Sequence, residues 1–205
     1  MISEKFINPV EKKVIDVVAK RYSPRTYSRQ LVEKEKLLTI LEAARWSASS
    51  YNEQPWRFIV ASKENPETFA KMLSVANEWN QKWATLAPVL ILTIAKKTFS
   101  HNGSENKHAR HDIGQTVATL ALEAAQHDLY IHQMAGIHAD KARELFNVPE
   151  DFDVVSLFTL GYLGDIKDLD EEFHKSEQRK RKRERKPLTE IVFENEFGNT
   201  AIFVK

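Results

Sequence analysis

Cysteine is absent from the 205-residue chain. That excludes a disulfide scaffold, a thiolate nucleophile and cysteine-ligated zinc or iron–sulfur centres. Glycine is scarce, at six residues. Neither G-x-G-x-x-G nor G-x-x-x-x-G-K-[ST] occurs, so the glycine-rich dinucleotide and P-loop readings have no motif to rest on. Long hydrophobic runs are also missing. The longest, APVLILTIA from Ala87 to Ala95, is too short to span a bilayer. The first residues, MISEKFINPVEKK, lack the apolar core of a secretory signal. Excess charge is missing too: 30 basic against 29 acidic side chains leave a net charge of +1, so no global attraction to nucleic acid or membrane is expected. We expect a cytoplasmic protein with neither as a partner.

What is present reads as a soluble globular chain, 42% hydrophobic and 29% charged. No internal repeat or compositional break divides it, so a single domain over 1–205 is expected. Helical and strand patterns alternate, which places the fold in the α/β or α+β class with one main sheet. Asn8-Pro9-Val10-Glu11 has the form of a helix start, with Asn8 as cap and Val10, Val14, Val17 and Val18 as an apolar stripe. A second helix is expected over Glu33–Ser47, a strand over Trp56–Ser62, a helix from Asn65-Pro66-Glu67 and a short one over Asn77–Leu86. PVLILTIAK reads as a strand buried on both faces. Ala109–Leu129 is Ala-rich and apolar nearly all round, as for a helix covered on more than one side. Leu129–Met134 follows as a strand, Ala139–Asn147 as a helix and Val154–Leu163 as a strand.

Four stretches carry residues suited to chemistry. RYSPR, residues 21–25, sets two guanidinium groups and a hydroxyl around a proline that stops a helix. Arginine forks match phosphate oxygens, although a helix C-terminus also attracts cations. SASSYNEQPWRF, residues 47–58, is a loop of small hydroxyl and amide side chains that feeds a strand. HQMAGIH, residues 132–138, places Gly136 at a strand end, where a backbone can approach something closely. RERKPL, residues 183–188, puts Arg183 and Arg185 on one side of an extended segment. The acids Asp168, Asp170, Glu171 and Glu172 precede the bases Arg179–Arg183, the charge order of a solvated helix. His108 and His111 are spaced for a metal, but a solvated helix start accounts for them better. His132 and His138 flank Gly136 and are candidates for lining a substrate pocket. Trp83 is the best pocket wall among four tryptophans otherwise read as core.

RYSPR, SSYNEQPWRF, HQMAG, LGYLGD and R-x-R-K-P-L, in this order, resemble the nitroreductase family of FMN-dependent NAD(P)H oxidoreductases, over roughly Val14 to Val192. The resemblance implies an α+β fold with a mostly antiparallel central sheet flanked by helices, and an intertwined homodimer with FMN at the subunit interface. It assigns Arg21, Tyr22 and Ser23 to the FMN phosphate and ribityl chain, Arg25 to the pyrimidine edge, and Arg183 and Arg185 to the same phosphate. Ser49, Ser50 and Asn52 would reach the flavin of the other subunit, with Ala48 where relatives often carry proline. The backbone at Ala135 and Gly136 would face flavin N5, and no side-chain acid or base is implied there. Asn80, with Lys82, aligns more loosely with polar flavin contacts. No metal is implied. The expected reaction is ping-pong hydride transfer from NAD(P)H through the flavin to a nitroaromatic, quinone or enone. The C-terminal extension 193–205 would wrap the partner. Two other readings stand beside this one: a flavin-binding protein without efficient turnover, and a nucleic-acid-binding module using the basic segment 175–186.

Overall fold

The fold is that of a computed structural model, in which residues 7–181 and 183–204 are described. Residues 1–6 and 205 of the expected domain, and Lys182 of the basic segment, lie outside the described residues. Its centre is a four-stranded sheet of order β1-β2-β4-β3. The strands are β1 (Trp56–Ser62), β2 (Val89–Lys96), β3 (Leu129–Met134) and β4 (Phe152–Tyr162). Every neighbouring pair is antiparallel. With seven α-helices around this sheet among the described residues, the class is α+β.

The continuous apolar run of β2 is explained by two-sided cover. Leu90, Leu92 and Ile94 point into one core with Phe69, Met72 and Trp83. Val89, Ile91 and Ala95 point into a second core with Ile40, Ile113 and Val117. The register of β2 on β4 shifts between Thr93 and Ile94. The first core is closed by α3 (Pro66–Leu73), α4 (Glu78–Ala84), α6 (Ala139–Leu145) and Phe173 of α7 (Glu171–Arg181). The second lies under α2 (Lys34–Arg45) and α5 (Ala109–Gln126). Asn65 caps α3 by accepting from the Thr68 amide at 3.1 Å, as its sequence context implies.

Two expectations change. The helix expected from Asn8 begins only at Asp16, as α1 (Asp16–Lys20). Asn8 is a cap at the other end: its Nδ2 donates to the carbonyls of Val18 at 3.0 Å and Arg21 at 2.9 Å. Val10 and Val14 are left exposed. The helix α5 is less encircled than its composition suggests. Its buried face runs from Ala109 through Ile113, Val117, Leu120 and Ala124, while Gly114 and Ala118 face outward. Among the described residues no helix is long and apolar enough to cross a membrane.

Candidate anion and cofactor site

Past the end of α1, RYSPR runs extended against β3 and the end of β4. Burial alternates residue by residue: Tyr22, Pro24 and Thr26 are buried, and Arg21, Ser23 and Arg25 are only partly so. The period of two puts Arg21, Ser23 and Arg25 on one outward face. Gly164 of the LGYLGD motif makes this path possible. A Cβ there would lie 2.4 Å from the Tyr27 backbone, and instead the Thr26 hydroxyl donates to the Asp165 carbonyl at 2.6 Å.

The end of α7 returns to the same place. Arg183 Nη1 donates to the Arg21 carbonyl at 3.1 Å and to Asn8 Oδ1 at 3.3 Å. Arg185 is close enough to perturb both other arginines. Burial, then the charge of Arg185, lowers the pKa of Arg21. Burial, then Arg21 and Arg185, lowers that of Arg183 to about 10. None of the ion pairs seen among the described residues gives these three guanidiniums a carboxylate. Three cations gathered from both ends of the chain, and raising one another's electrostatic cost, form a seat for an anion. Cavities of about 560 and 430 Å³ open on either side. The first has Val14, Val18 and Leu188 among its walls, the second Arg25, Ser176 and Arg179.

Arg25 is fixed from above by α7 and from the side by α4. Its Nη1 donates to Ser176 Oγ at 3.0 Å, and its guanidinium lies 4.8 Å from the Trp79 ring and 5.8 Å from that of Trp83. Burial lowers its pKa and the charge of Glu177 opposes this. The Arg25 Nε is buried with no hydrogen-bond partner among the described residues, a donor that a cofactor carbonyl or ring nitrogen would suit. Tyr22 turns the other way. It is 2% exposed and its hydroxyl donates to the buried Glu177 carboxylate. It holds α7 rather than presenting a group to the cavity. Trp83 does not wall a pocket either: it is 0% exposed in the first core. His132 donates from Nδ1 to the Pro24 carbonyl at 2.9 Å and packs tilted against Trp83, ring centroids 4.5 Å apart, so it supports RYSPR from beneath. His138 precedes α6 with Nε2 3.6 Å from Glu78 Oε1.

Gly136 has the close approach expected of it, but to protein. A Cβ would sit 2.4 Å from Asn77 Nδ2 and 2.9 Å from Asn80 Nδ2. The Gly136 carbonyl accepts from the Asn77 amide at 3.0 Å and from Asn80 Nδ2 at 3.1 Å. Asn80 thereby fixes the turn that carries Ala135 and Gly136. Lys82 is paired with Glu172 of α7 at 2.7 Å.

Ser49, Ser50 and Asn52 are not part of this cluster. Their loop enters β1, at the opposite edge of the sheet from β3, three strand spacings or roughly 14 Å away. The loop is held in an unusual shape, with Tyr51, Asn52 and Gln54 all at φ of 52–53°, a region costly for residues with a side chain. Asp112, 2% exposed in the first turn of α5, accepts from the Ser50 amide at 3.0 Å. Glu53 accepts from Lys96 Nζ at 3.2 Å and from the Ser100 amide at 2.8 Å. Tyr51 is 81% exposed against Phe99.

The residues that sequence reasoning missed are those that support others: Ser176, Glu177, Asp112 and Glu53, with Asn8 read as a cap but for the wrong end of α1. An acid in the middle of a polar helix or beside a histidine gives no signal of burial. His111 Nδ1 lies 3.2 Å from Asp112, and no metal-holding group of three or more histidines or acids occurs among the described residues.

Three comparisons bear on this arrangement. A solved structure described as an oxidoreductase containing FMN superposes with a TM-score of 0.88 at 32% identity, covering 97% of this chain and 100% of the other. A nitroreductase family protein of Clostridium difficile 630 superposes with a TM-score of 0.68 at 27% identity, covering 91% and 100%. By sequence, a protein of Archaeoglobus fulgidus provisionally named NADH dehydrogenase/NAD(P)H nitroreductase is 26% identical over 159 residues, which is 76% of this chain and 88% of that one. The sequence model of the Nitroreductase family matches residues 18–162, a stretch that takes in RYSPR, the Ser49–Asn52 loop and the Gly136 turn, and the chain therefore belongs to the nitroreductase family.

Proposed function

We propose that the protein is an FMN-dependent oxidoreductase that passes a hydride from NAD(P)H to a nitroaromatic, quinone or enone by a ping-pong mechanism, working as a homodimer. The observation that carries this reading is the seat made by Arg21, Arg183 and Arg185 beside the outward face of Ser23 and Arg25. A phosphate dianion suits the three arginines, and the unpartnered Nε of Arg25 suits the polar edge of a flavin. FMN, when bound, supplies the hydride-accepting and hydride-donating chemistry. The chain supplies binding and orientation. Arg21, Arg183 and Arg185 would hold the phosphate, Ser23 the ribityl chain, and Arg25 the pyrimidine side. Main-chain N–H groups at Ala135 and Gly136 would face the reactive edge, with Asn77 and Asn80 keeping that turn rigid. The dimer reading is supported by the separation of Ser49, Ser50 and Asn52 from the arginines within one chain. A loop shaped in advance and turned outward fits a site on a second chain.

Purified protein should carry a yellow chromophore identified as FMN after release. Arg21→Ala and Arg185→Ala should each weaken FMN roughly 10- to 100-fold, the loss of one charge-assisted hydrogen bond or pair. Unchanged affinity in both variants sinks the phosphate assignment. Rapid bleaching of bound flavin by NAD(P)H separates an enzyme from a flavin carrier.

A further inference from the structure

Glu177 is the most deeply buried acid among the described residues, at 0% exposure, on a helix whose sequence, EEFHKSEQRKR, is otherwise strongly polar. A carboxylate out of water is costly unless it is hydrogen-bonded. Here the donor is the phenol of Tyr22, itself buried. Tyr22 stands between Arg21 and Ser23 in the chain, and Glu177 stands six residues before Arg183. The pair therefore joins the two segments that supply the anion seat, through an inward-facing residue of each.

The other ties along α7 lie on the same side. Glu172 pairs with Lys82, Phe173 packs on Trp79 with ring centroids 5.1 Å apart, and Ser176 accepts from Arg25. The Lys82–Glu172 pair is about half exposed, and such pairs hold position weakly. Beyond the helix, Arg183 keeps its place through one carbonyl and one amide oxygen.

We propose that Tyr22 and Glu177 form a latch that positions Arg183 and Arg185 on the cofactor phosphate, so that the docking of α7 sets how strongly the site prefers FMN to riboflavin. The proposal rests on the FMN reading above. Both residues are positioning residues, and neither touches the cofactor.

Riboflavin lacks only the phosphate, so the ratio of its Kd to that of FMN isolates the latch. Both constants are to be measured by flavin fluorescence quenching on the stripped full-length protein, wild type, Tyr22→Phe and Glu177→Gln. Tyr22→Phe should lower the ratio roughly tenfold, the worth of one hydrogen bond to a charged group, with riboflavin Kd unchanged. Glu177→Gln keeps an oxygen to accept from the phenol and should keep the ratio within about threefold. An unchanged ratio in Tyr22→Phe overturns the latch. So does an equal loss for both ligands, which reports general damage to the fold, or a collapse confined to Glu177→Gln, which assigns the effect to charge. A wild type that does not prefer FMN removes the phosphate reading itself, and the latch with it.

Discussion

Arg183 is held where its charge is least welcome, beside Arg21 and Arg185 and partly out of water. On the proposed phosphate reading such a residue would serve a ligand at the expense of the empty fold. Arg185→Ala should leave the stability of the stripped protein within about 0.5 kcal/mol of wild type, or raise it. The same change should shrink the rise in Tm on adding FMN, which reflects a stabilisation of about 2.7 kcal/mol at a hundredfold excess over Kd. Thermal melts with and without FMN check both, and a large fall in the stripped Tm would make Arg185 a structural residue. Gly136 is bound by the opposite logic. With Asn77 Nδ2 2.4 Å from where a Cβ would stand, Gly136→Ala must displace two side-chain amides, that of Asn80, which holds the turn, and that of Asn77, which caps α4. We expect a loss of about 1–3 kcal/mol in urea denaturation. Of the histidines near that turn, His132 supports Pro24 from beneath, and His138 precedes α6 without capping it by its side chain. Flavin reduction by NAD(P)H in His132→Ala and His138→Ala should stay within about tenfold of wild type. Stopped-flow traces showing a loss beyond about a thousandfold, some 4 kcal/mol of barrier, would make one of them catalytic.

Elements built on local signals were legible in the sequence. The Asn65 cap and Pro66 fix the start of α3, and period-two or continuous apolar runs mark β1, β2 and β3. Asn8 shows where local reading stops. Asn-Pro-x-Glu has the form of a helix start, yet its partners are the carbonyls of Val18 and Arg21. Both uses satisfy orphan helix-end groups, and nothing within four residues distinguishes them. Asn8→Ala should cost about 1–2 kcal/mol and should loosen FMN as well, because Asn8 Oδ1 also receives Arg183. Equilibrium unfolding and FMN titration of the one variant test the two halves separately. RYSPR was legible as a helix stop carrying two arginines and a serine, whereas the shared face of Arg21, Ser23 and Arg25 shows only in the burial pattern of the extended segment. Glu177 was not legible, since its burial depends on Tyr22, 155 residues away.

At the scale of the molecule, the two groups of site residues occupy opposite edges of one sheet. If two chains complete each site, FMN occupancy and dimerisation rise and fall together. Sedimentation at low micromolar concentration should show a dimer with stoichiometric FMN, and a folded monomer that keeps its FMN would rule out the shared site. The C-terminal segment has the surface for such a contact: Phe197, Ile202 and Phe203 are exposed at 95%, 74% and 80%. Removing residues 193–205 should weaken both dimer and FMN. Family resemblance, not periodicity, pointed to this assembly, because the sequence of one chain does not show which of its surfaces meets a second.

The contact between Arg183 and Arg21 also sets a clock. Arg21 leaves the ribosome early, and its counterpart is made 162 residues later, roughly 8–30 s afterwards at ordinary rates of translation. Until then the chain carries the Arg21 half of the proposed phosphate seat without the half that Arg183 and Arg185 would supply. On the phosphate reading flavin loading would be a late event, and a released, purified chain ending before Arg183 should stay colourless even where it folds.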